Sequence, residues 1–189
     1  MAKSTPARTK KDRGAKSGRP GARSGKAARA TSATDAANAW RQRVSKDAAA
    51  TIDTVMAHVQ AVAEQQLGQH GAFPPFLVTA RKDGEYELDS LPAEDAEELS
   101  PEAALDALRA RAVELRDDLL CAAVAFPVTL PDRSGQTAVA VETQHREGES
   151  LTVIQPYRVK GAERSVSFGD AGAEPAEPWL WSRPAHAVS

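Results

Sequence analysis

Apolar side chains recur with helical spacing in the first third of the chain. They fall three or four residues apart, at Val44, Ala48, Ile52, Val55, Val59 and Val62. This period keeps them in one stripe and predicts a long amphipathic helix over 36–67, within a segment of residues 34–70. Gly68 and Gly71 follow the last apolar positions, as is usual beyond the end of a helix. We expect residues 51–67 to pack on the body of the protein, and the first half of the helix to project, to meet a partner helix or to fray.

Alternation of larger and smaller or polar residues, which is typical of β-strands, dominates the rest of the chain. It predicts strands over 85–88, 119–130, 136–145, 151–159 and 166–168, and a short apolar run predicts another over 76–80. One further helix is predicted to begin where Ser100 supplies an N-cap, Pro101 the first helical position and Glu102 an acid in the first turn. This middle helix is expected to end near Asp117.

Short hairpin connections imply that the strands pair mainly antiparallel. An antiparallel sheet needs helices to cover its apolar surface, so the predicted class is α+β. We expect a five- to six-stranded sheet flanked by the long N-terminal helix and the middle helix. The body spans residues 71–169, packed with helix residues 51–67. Residues 170–189 form a C-terminal tail rich in Pro, Ala and Glu.

Residues 1–33, called the basic tail below, differ in composition from everything that follows. They contain ten lysines and arginines against the single Asp12, and no apolar residue larger than alanine after Met1. Ordering a residue costs about 1–2 kcal/mol of backbone entropy, which this composition cannot offset by burial, so the tail is predicted to be disordered. The net charge of −2 is the sum of about +9 in the tail and about −11 in the rest of the chain, which contains 14 basic and 25 acidic side chains.

Two resemblances follow from these patterns. The element order helix, β, β, helix, β, β, β over about 51–159 resembles the profilin-like and roadblock/longin group of folds, which host scaffolds, small-molecule sensors and regulators of small GTPases. A second pattern is similar to one shared by a family of small uncharacterised bacterial proteins, and that family implies no activity for this chain. Its residues are Phe73-x-Pro75-Phe76, Asp83-Gly84-Glu85, Val141-Glu142 with His145 and Gly148, and Pro156-Tyr157.

Candidate catalytic chemistry is sparse, and no catalytic, cofactor-binding or metal-binding residue is predicted. The single cysteine, Cys121, excludes a disulfide framework and a cysteine-rich zinc site, and it is expected to be structural. The four histidines lie far apart along the chain, whereas helical zinc sites place them four residues apart. Glu142 and His145 are three residues apart on one predicted strand, so they face opposite sides of the sheet and cannot share a proton directly.

Two aromatic groups are candidate contact points. Phe73 and Phe76 flank two prolines and are expected to anchor helix to sheet, with a role in recognition as the alternative. Trp179 and Trp181 share a face if the tail is extended, so they either clamp the tail onto the body or dock to a partner. The predicted partner-binding residues are Val44, Ile52, Trp179 and Trp181.

These observations favour a non-catalytic protein-interaction or scaffold module that binds a protein partner, or a second copy of itself, through the long helix. No apolar stretch approaches the roughly 18–20 residues that cross a bilayer, and no secretory signal is recognisable. We therefore expect a bacterial cytoplasmic protein without membrane contact.

Two alternatives remain open. The basic tail is also suited to neutralising phosphates, which would make the protein a non-specific nucleic-acid-associated one. The residues concerned are Arg8, Lys10, Lys11, Arg13, Lys16, Arg19, Arg23, Lys26 and Arg29. The second alternative is a small-molecule sensor or enzyme whose pocket the linear sequence does not display.

Overall fold

A computed structural model describes residues 38–92, 98–131 and 135–181 of this 189-residue chain. The basic tail lies outside these residues, as do residues 182–189 of the predicted C-terminal tail. The described residues contain two α-helices and a curled antiparallel sheet of seven strands, so the predicted α+β class is confirmed.

The first helix, α1, spans Lys46–His70, and it begins ten residues later than the predicted start at 36. Ser45 caps it by accepting a hydrogen bond from the Ala48 N–H at 3.1 Å. Residues Ala39–Gln42 form a separate 3-10 turn that buries the Trp40 side chain in the body. The prediction of one uninterrupted helix is therefore wrong, and Trp40, in the half expected to project, to meet a partner helix or to fray, is buried in the body instead. Burying a tryptophan against the body removes more apolar surface from water than a solvated extension of alanines would.

The seven strands follow the predicted order closely, with one addition at the end. They are β1 (Phe76–Arg81), β2 (Tyr86–Ser90), β3 (Leu119–Leu130), β4 (Gln136–His145), β5 (Ser150–Lys160), β6 (Ser165–Phe168) and β7 (Gly172–Pro175). Their spatial order is β2-β1-β3-β4-β5-β6, with every pairing antiparallel. The unpredicted β7 pairs with β5 over Leu151–Ile154, beside the segment of β5 that pairs with β6.

The second helix, α2, spans Pro101–Leu115 and begins with the predicted cap, because the Ser100 hydroxyl accepts from the Ala103 N–H at 3.2 Å. The helices lie on opposite faces of the sheet and define two cores. Alternation along β3 divides its small residues between them: Cys121, Ala123 and Ala125 face α1, and Ala122 and Val124 face α2. The α1 stripe fills the first core with Ile52, Val55, Val59, Ala63 and Leu67.

Candidate interaction groove

A groove forms where the long strand β3 continues beyond the end of β1. The last pair between the two strands is Phe76 with Ala125, whereas β3 stays paired with β4 as far as Leu130. Pro74 and Pro75 precede Phe76, and prolines lack the N–H that would extend the ladder. In the described part of the chain, no strand pairs with 126–130 on the β1 side.

The start of α2 lies over this open stretch and completes the groove, which encloses a cavity of about 310 Å³. The described residues that line it all carry apolar side chains: Pro74, Pro75, Leu91, Leu99, Pro101, Ala104, Leu105, Phe126 and Pro127. We call these nine residues the apolar groove. Leu99 remains 37% exposed at its rim. Such a lining can take up an apolar group, and among the described residues only backbone groups, and no polar side chain, could fix the orientation of a polar substrate.

The phenylalanines and the prolines of the segment 73–76 have different surroundings. Phe73 and Phe76 are buried in the first core, and their ring centroids lie 5.8 Å apart in an edge-on arrangement. They are the expected anchors between helix and sheet. Pro74 and Pro75 instead face the apolar groove, which is where a role in recognition would reside.

The four predicted partner-binding residues do not come together. Ile52 is only 1% exposed and belongs to the first core, so no partner can reach its side chain in this fold. Val44 is half-buried against the same core. Trp179 and Trp181 are half-buried on the opposite face, where they pack against the second core.

The C-terminal segment 176–181 is a strap across the sheet, held by two buried side chains, Gln144 and Ser150. The Ser150 hydroxyl donates to the Glu177 carbonyl oxygen at 3.1 Å. The Gln144 Oε1 atom accepts from the backbone N–H groups of Trp179, Leu180 and Trp181 at 3.0, 2.7 and 3.2 Å. Its amide nitrogen donates to the Trp181 carbonyl oxygen at 2.6 Å. Leu180 is buried in the second core. This is the clamp that the tryptophan spacing suggested, and its sequence-distant anchor, Gln144, was not predicted.

The single cysteine is enclosed in the first core. Its Sγ atom lies 3.5 Å from the Thr143 hydroxyl, and burial raises the pKa of the Cys121 thiol to about 12. A neutral thiol without access to solvent is a poor nucleophile, which agrees with the predicted structural role.

Glu142 and His145 face opposite sides of the sheet, as predicted. Glu142 accepts from Arg109 of α2 at 2.7 Å. His145 lies on the α1 side, where its Nδ1 atom accepts from the Glu147 N–H at 3.1 Å. Burial lowers the pKa of His145, and the Glu147 carboxylate opposes this shift in part. Hydrogen bonds from the Ser45 hydroxyl and N–H lower the pKa of Glu147 and tie the β4–β5 turn to the start of α1.

Other predictions concern sites for metals, membranes or nucleic acids. Among residues 38–92, 98–131 and 135–181, no three histidine, cysteine or carboxylate side chains lie close enough to bind one metal ion. In the same residues, no helix is both long and apolar enough to traverse a bilayer. The predicted nucleic-acid-binding residues all belong to the basic tail, outside the described residues.

Comparison with known proteins adds no relative. No family model, no curated protein and no solved structure matches this chain. The resemblance to profilin-like and roadblock/longin folds and the similarity to the bacterial family therefore stay predictions.

Sequence reasoning missed the apolar groove as a site. Its residues come from four separate segments, and Leu91, Leu99 and Phe126 carry no shared motif. One signal was present: Pro74 and Pro75 come directly before β1, and Pro127 lies within β3, so backbone donors are missing where these two paired strands part. Prolines at corresponding places in two neighbouring strands indicate where the hydrogen-bonded pairing between them ends.

Proposed function

We propose that this protein is a non-catalytic protein-interaction module whose apolar groove receives hydrophobic side chains of a partner. The observation that supports this proposal is a cavity of about 310 Å³ at an open end of the sheet, where every described lining residue carries an apolar side chain. Burying one leucine-sized side chain there is worth about 1.5–3 kcal/mol, which is roughly a ten- to hundred-fold gain in affinity.

The neighbouring backbone favours a polypeptide as the ligand. Within the described residues, the β3 stretch 126–130 has no strand partner on its β1 side, beside the groove. An extended partner segment can pair with such an edge while its side chains enter an adjoining pocket. The partner is then either another protein or a second copy of this chain.

A small apolar molecule is the second candidate, because about 310 Å³ is at the lower limit of small-molecule sites. Such a ligand would make the protein a sensor or carrier. Nucleic-acid binding through the basic tail stays a prediction that concerns residues outside the described ranges.

Substitution at the groove rim tests the proposal. We expect full-length Leu99→Asp to lose at least about ten-fold in the capture of a defined partner from an extract of the source cells, because a carboxylate cannot enter an apolar cavity without desolvation. Val113→Asp is the matched control, since Val113 is 40% exposed and lies outside the groove. Quantitative mass spectrometry of the captured proteins is the measurement.

Each outcome has a distinct meaning. If the partner is a second copy, light scattering shows a dimer for the wild type and for Val113→Asp, and a monomer for Leu99→Asp. A small molecule retained in native mass spectra, and lost only from Leu99→Asp, would favour the second candidate. Equal capture by all three proteins would refute a function of the groove.

A further inference from the structure

The border of the apolar groove carries charge of one sign. Three charged residues adjoin groove residues in the sequence, and all three are acidic: Glu98, Glu102 and Asp106. Between residues 83 and 108 the sequence contains no lysine or arginine. The charge that the sequence places next to the groove is therefore exclusively negative.

One of these three carboxylates is neutralised, and the other two are not. Arg109 lies 2.9 Å from Asp106. Within the described residues, Glu98 and Glu102 take part in no ion pair, and both are exposed. They stand at the start of α2, on either side of the groove residue Pro101 in the sequence. We call Glu98 and Glu102 the acidic rim.

The open edge of β3 next to the groove offers backbone hydrogen-bonding groups. The His145 N–H donates across the turn toward the start of β5, so odd-numbered residues of β4 face β5 and even-numbered residues face β3. Ala138 of β4 lies opposite Val128, so the even-numbered residues of β3 face β4 in turn. The N–H and carbonyl of Thr129 and the carbonyl of Pro127 therefore point away from β4, to the side where β1 has ended. An extended segment can form backbone hydrogen bonds with these groups.

The register of such a segment determines which of its side chains meet the groove. Its side chains alternate between the two faces of the sheet. Ala122 and Val124 of β3 face α2, so Phe126, two residues further on, also faces α2, where it lines the groove. Successive side chains of the segment on that face lie about 6.6–6.8 Å apart. One of them can therefore fill the cavity while the next remains outside it, near the acidic rim.

Resting on the proposed function, we infer that the groove selects an extended segment of another protein in which a lysine or arginine lies two positions from an apolar residue. The apolar side chain fills the cavity, and the cation pairs with Glu98 or Glu102. The basic tail of this chain is not the occupant, because it contains no apolar residue larger than alanine after Met1. Exposed charge pairs add little affinity but discriminate against partners of the wrong charge, so the acidic rim determines which segments bind.

A phage-displayed library of random linear peptides tests this inference on the full-length protein. An exposed ion pair corresponds to roughly a one-and-a-half- to five-fold gain in affinity. We therefore expect the wild type to enrich peptides with lysine or arginine two positions from an apolar residue, about three times as often as in the unselected library. Sequencing of the bound phage is the measurement.

A matched pair of charge reversals separates the acidic rim from the rest of the surface. Glu98→Lys/Glu102→Lys should enrich aspartate or glutamate at the same peptide positions. Glu163→Lys/Glu174→Lys should keep the preference for cations, since Glu163 and Glu174 are exposed on the turn before β6 and on β7. Both variants have the same net charge and the same basic tail, so attraction of acidic peptides to the tail is common to them. An equal shift of preference in both would overturn the inference.

A binding titration provides a second readout. The peptide that the wild type enriches most, labelled with a fluorophore, should bind Glu98→Lys/Glu102→Lys about ten-fold more weakly than the wild type at low salt. Fluorescence polarisation measures this difference, which should largely disappear at about 1 M salt, where the Debye length is about 3 Å. An affinity that the charge reversal leaves unchanged would overturn the inference. Circular dichroism verifies that the variants are folded.

Leu99→Asp distinguishes failure of this inference from failure of the proposed function. If the wild type enriches apolar residues without a preference for cations, and Leu99→Asp does not enrich them, the groove binds peptides but the charge selection is overturned. If both proteins enrich the same peptides, the proposed function fails as well. Enriched sequences that match a segment of this chain would identify a second copy as the partner and overturn the choice of another protein.

Discussion

The strongest stability prediction concerns Gln144, the buried side chain that makes four hydrogen bonds to the C-terminal strap. Gln144→Leu keeps a side chain of similar size but removes the acceptor shared by three backbone N–H groups. It also removes the donor to the Trp181 carbonyl oxygen. The strap then loses every hydrogen bond that it makes with this residue.

The magnitude follows from the burial of each group. The Leu180 N–H is enclosed, because Leu180 is only 5% exposed, and an unsatisfied buried donor costs about 1–3 kcal/mol. Trp179 and Trp181 are half-buried, so their N–H groups can turn partly to water at about 0.5–1.5 kcal/mol each. We expect the free energy of unfolding to fall by about 3 kcal/mol.

Urea titration followed by tryptophan fluorescence and far-ultraviolet circular dichroism measures this loss. If the strap detaches before the domain unfolds, the native emission shifts to longer wavelength while the dichroism transition moves little. The control is Gln155→Leu, which removes one exposed hydrogen bond of 3.3 Å to the Gly169 carbonyl oxygen and should cost less than about 1 kcal/mol. A Gln144→Leu protein with the emission and stability of this control would refute the reasoning.

Three further predictions concern the core. Burial lowers the pKa of His145 below its ordinary 6.5, so the unfolded chain binds a proton at a higher pH than the native protein does. The contribution of His145 to the free energy of unfolding should therefore be constant above about pH 6.5 and fall as the pH drops below it. Urea titrations at about pH 7.5 and about pH 5.5 should show this slope in the wild type and a weaker one in His145→Gln; equal slopes would contradict it. Cys121 should react with an aromatic disulfide reagent at least about a hundred-fold more slowly in the native protein than in urea, and prompt native labelling would show that the thiol is accessible. Ile52→Ala should reduce the free energy of unfolding by about 2–5 kcal/mol without changing the mass measured by light scattering. A wild-type dimer that Ile52→Ala dissociates at unchanged stability would show instead that Ile52 contacts a partner.

Local patterns predicted most of the fold because they report the period and the ends of each element. The alternation over 119–130 and 136–145 matches β3 and β4 residue for residue. The Ser100-Pro101-Glu102 signal placed the start of α2 correctly. The start of α1 was misplaced because the alanine-rich sequence before Lys46 is compatible with a helix, and only the burial of Trp40 decides against it.

Local sequence patterns did not predict the apolar groove or strand β7. The apolar groove joins Pro74, Leu91, Leu99 and Phe126, which are brought together by strand register and by the position of α2. The weak alternation over Gly172–Pro175 did not predict β7, because that strand forms only where β5 offers a free edge. Isolated short strands are unstable without a partner.

Amino-acid order alone therefore specified the class of fold, the two helices and six of the strands, since hydrophobic period and caps act between near neighbours. Tertiary packing decided where α1 begins, which face Cys121 occupies and how the strap is fastened. Gln144 holds backbone groups 35–37 residues away. A contact of that kind depends on the register of paired strands, which no local window of sequence contains.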